Sequence, residues 1–174
     1  MGTNKVHQSI TKIVNAYKVQ LATKGEEDFM QTPPINGWSY SEVYAHIFDA
    51  SLLSLIALQN CIKGEGEIRP THFVVRIILF FGAFLPGKKY KVPKRLIDRV
   101  KKINLLTAKQ FITDFELQLT KIYPLIKNAS PKTKTKHPRL GYLNAQQWLR
   151  FIEIHLNHHL KQLKRIENSF QQQR

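Results

Sequence analysis

An all-α fold, a four-helix bundle with a short extra helical insertion, is what this sequence predicts. Three observations carry the prediction. Apolar residues recur at helical spacing along almost the whole chain. Three capping-box patterns, Ser39-Tyr-Ser-Glu42, Thr107-Ala-Lys-Gln110 and Asn144-Ala-Gln-Gln147, mark helix starts. Nothing alternates with period two over a useful length, so no sheet is expected.

The elements follow in order. Ile10, Ile13, Val14, Tyr17 and Leu21 form the apolar stripe of a first helix over roughly residues 5–23. Gly25 to Gly37, with Pro33-Pro34, reads as a loop. The second helix starts at Ser39, with Trp38 stapling its first turn and Val43, His46, Ile47, Ala50, Leu53 and Ala57 facing inward; it ends before Gly64-Glu-Gly66. Phe73 to Phe84 reads as a short, very apolar helix stopped at Leu85-Pro-Gly87. Pro93 suits the first turn of a short basic helix through Lys102. Thr107 opens a helix carrying Phe111, Phe115, Leu119 and Ile122, with Pro124 kinking or ending it. Asn128 to Tyr142 reads as a loop, and Asn144 opens a last helix to about Phe170.

Size and composition narrow the function classes. A chain of 174 residues is expected to form one domain, residues 1–174, with a respectable core. Its 43% hydrophobic and 22% charged content is that of an ordinary globular protein. A lone cysteine, Cys61, excludes a disulfide framework within the chain and is read as a passive residue. Met1 to His7 has no apolar core of a signal peptide, and Val6 stands where myristoylation needs Ser or Thr, so the cytoplasm is expected. The longest apolar run, Phe73 to Leu85, is interrupted by Arg76 and too short to span a bilayer, so it is read as a buried or membrane-touching helix rather than a transmembrane segment. Filling the core is preferred for it over a homodimer interface. The net charge of +15 is concentrated in Lys88–Lys102 and Lys127–Arg139. Such a surface suits nucleic acid, anionic lipid or an acidic partner, but the first segment has only Tyr90 as an interleaved aromatic.

The candidate site is built from histidines. His155 and His159 are spaced i, i+4, so their rings project from one face of the last helix, one turn apart. The apolar residues of that helix are Trp148, Ile152, Leu163, Ile166 and Phe170. Their mean direction falls within about 15° of His159, about 50° of His155 and about 100° of His158. His46 lies on the inward stripe of the second helix. Each imidazole could satisfy itself with a local hydrogen bond. Three inward-facing imidazoles from two helices instead favour a shared divalent metal, which takes one nitrogen of each ring. Leu156 stands where a zinc-protease motif needs glutamate, so that class is not expected. Asp49 and Gln162 lie one turn from His46 and His159, placed to hold a ligand's second nitrogen or to face substrate.

Two segments carry a resemblance. Gly37-Trp-Ser-Tyr-Ser-Glu-Val-Tyr-Ala-His46, followed by His155-Leu-Asn-His158-His159-Leu-Lys-Gln162, resembles the DinB-like superfamily in a Trp-Ser-x-x-Glu-x-x-x-His helix start and a His-x-x-x-His-x-x-Gln helix. The resemblance implies a four-helix bundle with a long crossover and a divalent metal on His46, His155 and His159. It also implies a metal-dependent enzyme, with low-molecular-weight thiol transfer among the activities of the family. Lys161 replaces the glycine that many members carry before the glutamine, and the basic segment Lys88–Lys102 is additional to a minimal bundle. His137-Pro-Arg-Leu-Gly141 resembles a segment ahead of the last helix in one branch and places His137 at the mouth of the site.

Two function classes follow. In the first, three neutral imidazoles hold Zn or Ni with open positions, and the metal activates a thiol for transfer or a water for hydrolysis. In the second, the bundle is a non-enzymatic module that binds nucleic acid or an acidic partner through its basic surface.

Overall fold

Four long helices form because four apolar stripes need a common interior, and the computed structural model, which describes residues 2–84 and 100–172, shows how each is started and stopped. Helix α1 (Thr3–Ala22) buries Val6, Ile10, Val14, Tyr17 and Leu21. Ile13 is only partly covered. A short helix, α2 (Glu26–Met30), occupies part of the stretch expected to be loop, because Phe29 drops into the core and is fully buried.

Helix α3 (Tyr40–Lys63) opens on the expected capping box. The Ser39 hydroxyl accepts from the Glu42 amide, and the Glu42 carboxylate accepts from the Ser39 amide at 2.9 Å, so two otherwise orphaned donors are satisfied. The helix closes at Gly64, whose φ of 81° is open to glycine at little cost. By length and composition alone α3 could cross a membrane, but Val43, Ile47, Phe48, Leu55 and Leu58 are buried within the bundle.

A small antiparallel sheet corrects the expectation of no strands. Its order is β1 (Glu67–Ile68), β2 (Thr133–His137), β3 (Gly141–Leu143), with Glu67 opposite Lys134 and Lys136 opposite Tyr142. The alternation is present in Thr133-Lys-Thr-Lys-His137, but as threonine against lysine rather than apolar against polar. Thr135 supplies the anchoring that an apolar residue usually gives: its hydroxyl donates to Ala57 O and accepts from Trp148 Nε1 at 2.7 Å.

Helix α4 (Phe73–Phe81) is one turn shorter than its apolar run, ending at Gly82 with φ 70°. A Cβ at Gly82 would collide with the Arg150 guanidinium. Arg150 donates from Nε to Leu79 O at 3.0 Å and pairs with the largely buried Glu153, fastening the end of α4 to the last helix. Only Val75 and Ile78 of α4 are buried, so core-filling holds for one face and fails for the other. The basic helix expected from Pro93 lies mostly outside the described residues, and Val100–Asn104 carry no regular secondary structure.

Helix α5 (Leu105–Ile122) starts three residues before the expected Thr107 cap. Asn104 is the N-cap, accepting from the Thr107 amide at 2.8 Å, and Gln110 instead bonds Asp114. Asparagine competes well for this position, and the earlier start lets the Leu105 amide reach the Glu26 carboxylate. Phe115, Leu119 and Ile122 are buried as expected, with Phe111 only partly covered. Pro124 ends the helix in a 3-10 turn, Tyr123–Asn128. Helix α6 (Ala145–Gln171) opens on the expected Asn144–Gln147 capping box, with both halves present.

The principal contacts of α6 are with α3 and α1, and α3 also packs on α5. Inside this core the Tyr17 hydroxyl donates to Leu156 O at 2.8 Å, and the Tyr44 hydroxyl donates to Tyr17 O at 2.8 Å. Burial raises both phenols well above their ordinary range, so they stay neutral donors. Tyr17→Phe is expected to cost about 1 kcal/mol, since Leu156 O sits within a helix and is not fully orphaned. A thermal midpoint lower by about 2–4 °C in calorimetry checks this.

Candidate metal centre

Two capping boxes set the register that builds the site. From Ser39, His46 falls two turns into α3 on the side facing α6. From Asn144, His155 and His159 fall one turn apart on the side facing α3. One ring nitrogen from each of His46, His155 and His159 lies within 4.8 Å of the others. The Nε2 atoms of His155 and His159 are 3.1 Å apart. The His46 ring centroid is 5.3 Å from that of His155 and 4.9 Å from that of His159.

These side chains fit a metal by donor chemistry and by spacing. Two nitrogens about 2.0–2.1 Å from one ion sit about 2.9–3.4 Å apart, from octahedral to tetrahedral angles, and the observed 3.1 Å falls in that range. Metal ligation also needs neutral rings. Burial lowers the His46 pKa to about 4, with Asp49 opposing the shift and His158 adding to it. Burial lowers His159 to about 3, helped by His46 and His158 and opposed by Gln162. Burial also pushes His155 well down, reinforced by the neighbouring histidines. All three rings are therefore neutral near pH 7.

Gln162 favours one tautomer of His159. Its Oε1 lies 2.8 Å from His159 Nδ1 and accepts the proton there, leaving the Nε2 lone pair aimed at the cluster. Gln162→Ala is expected to weaken metal binding about 10–100-fold without removing a ligand. A competition titration against a chromophoric chelator measures the change.

Asp49 lies half-buried one turn from His46, close enough for its charge to act on that ring. His137 is not part of the cluster. Its ring packs on Phe151 at 4.6 Å, and Phe151 in turn stacks on His155 at 5.3 Å. Its Nδ1 accepts the Arg139 and Leu140 amides and so closes the β2–β3 turn. His158 flanks the cluster, with its ring centroid 5.1 Å from that of His159.

The aromatic surround was not read as such from the sequence. Trp38 lies parallel to His159, with centroids 6.2 Å apart, and 5.0 Å from His46. Phe84 packs on His158 at 5.2 Å. Phe151 was discoverable, being one turn before His155 on the same helix face, whereas Phe84 arrives from a separate segment. The basic segment Lys88–Lys102 lies outside the described residues apart from its last three.

No family model matches the chain, and no curated protein does. Solved structures match its fold. One is YfiT from Bacillus subtilis, described as a probable metal-dependent hydrolase with an unusual four-helix bundle topology; it is 13% identical, with 95% of this chain and 86% of that chain covered and a TM-score of 0.63. Another is TT2238, a four-helix bundle protein, 17% identical over 94% of this chain and 98% of that chain, with a TM-score of 0.52. At these identities the likeness establishes architecture: the chain has the four-helix-bundle fold of these proteins, with a minor sheet added.

Proposed function

We propose that this protein is a metal-dependent enzyme that holds a divalent ion, Zn or Ni, on His46, His155 and His159. The observation that carries the reading is the convergence of three neutral imidazoles, with the His155 and His159 Nε2 atoms 3.1 Å apart. YfiT shares the fold and is described as a probable metal-dependent hydrolase, which supports the same direction. When bound, such an ion acts as a Lewis acid and lowers the pKa of a coordinated water or thiol.

The chain's own residues prepare that chemistry. Gln162 holds the His159 tautomer. Trp38, Phe84 and Phe151 pack against the cluster and line it with apolar surface, which strengthens charge interactions there. Asp49 places a carboxylate one turn from His46, where it can orient a substrate. Hydrolysis and transfer of a low-molecular-weight thiol are both reactions of this type. The deciding experiment is metal content by mass spectrometry on untagged protein loaded with Zn²⁺ or Ni²⁺ and desalted. About one ion per chain is expected, followed by screening for hydrolysis and thiol transfer. Protein that emerges without metal from both solutions overturns the proposal.

A further inference from the structure

Helix α4 is apolar on two opposite sides, and only one of them is covered. Val75 and Ile78 are buried, while Phe73 is 69% exposed, Phe80 80% and Phe81 73%. Phe73, Arg76, Ile77, Phe80 and Phe81 follow the i, i+3, i+4, i+7, i+8 rule of a single helix face and line one shallow groove. That groove shares no residue with the histidine cluster. A contiguous patch of exposed phenyl rings at helical spacing marks an interaction surface.

Charge decides what fits it. Residues 69–84 contain Arg69 and Arg76 and no carboxylate, in a chain of net charge +15. A symmetric pairing of two copies through this face would set each Arg76 in an apolar contact facing the same cation-bearing patch, with no acid in the stretch to answer it. The rings of Phe80 and Phe81 meet edge to face, at 5.2 Å and 87°, and so do not offer parallel shelves for stacked bases. A bilayer with anionic headgroups answers both features: phenyl rings enter the headgroup–acyl boundary and the arginine stays at the phosphate level.

We propose that the outward face of α4 is a docking surface for an anionic phospholipid membrane, entered by Phe73, Phe80 and Phe81. The test is flotation of the full chain with vesicles of phosphatidylcholine alone and of phosphatidylcholine with about one-third phosphatidylglycerol, a fraction high enough to set the surface potential. Binding to the anionic vesicles, weakened by salt and at least about tenfold tighter than to neutral ones, is the expected result. Phe80→Ser/Phe81→Ser is expected to weaken it at least about tenfold, and Arg76→Gln about fivefold. Phe80→Leu/Phe81→Leu, which keeps the face apolar, should retain most of the binding and guards against a folding defect in the serine variant; an unchanged thermal midpoint confirms that the exposed rings do not hold the fold. No flotation of the wild type, or equal flotation of the serine variant, overturns the proposal. So does a dimer in sedimentation, or binding of a single-stranded oligonucleotide, that the serine variant abolishes while vesicles go unbound.

Discussion

His159→Ala is expected to empty the metal centre, taking the protein from about one ion per chain to none retained after desalting. Removing an outer partner of a ligand costs about 10–100-fold in affinity; removing a ligand costs more, because the two imidazoles left, His46 on α3 and His155 on α6, lose the convergence that three provide. Among the three proposed ligands, His159 has the most to lose. It is 7% exposed, its Nδ1 is held by Gln162, and its Nε2 lies 3.1 Å from His155 Nε2. The parallel variants His46→Ala and His155→Ala should behave the same way. His158→Ala should keep its metal, since His158 contributes no nitrogen to the cluster. Mass spectrometry of the four variants side by side checks the assignment. Retention of metal by His159→Ala, or its loss from His158→Ala, would place the ligands elsewhere.

The parts of this molecule that sequence made legible are those governed by helical periodicity and local capping. Ser39 and Asn144 are residues whose side chains close a turn on themselves, so their role is visible within four positions. The i, i+4 pair His155 and His159 is legible for the same reason. His46 needed one further step, the recognition that it shares a side of its helix with Val43 and Ile47, which are buried, although Leu53 of the same stripe is exposed. The sheet was hidden because its anchoring residue, Thr135, works by hydrogen bonds to Ala57 and Trp148 rather than by burying apolar surface. The true cap of α5 was hidden because Asn104 and Thr107 are both capable caps, and the contact that accompanies the Asn104 start, from the Leu105 amide to Glu26, is far away in sequence. Helix α4 shows the limit most clearly: it is apolar on both sides, and Arg76 alone marks the uncovered face. Phe84 and Trp38 join the site only through the fold, so no spacing rule brings them to His158 and His159.

Metal binding should also set the stability of the fold, and acid should reveal it. An ion that binds the folded chain alone stabilises it by about 2.7 kcal/mol at one hundred times its dissociation constant and about 4.1 at one thousand times. For a chain of this size that corresponds to a thermal midpoint higher by roughly 5–16 °C, and the rise should vanish in His159→Ala. The metal-free protein should instead be weakened by acid. Its unfolded chain takes up protons on histidine as pH falls through about 6.5, whereas the folded chain resists protonation down to about pH 4 at His46 and about 3 at His159. In that window the unfolded state binds more protons, so stability is whole above pH 6.5 and declines below it, by up to about 1.4 kcal/mol per pH unit for each histidine. Denaturant titrations of chelator-treated protein across this range measure the slope. A flat profile would mean that the rings accept protons freely when folded and are not the buried neutral donors a metal requires.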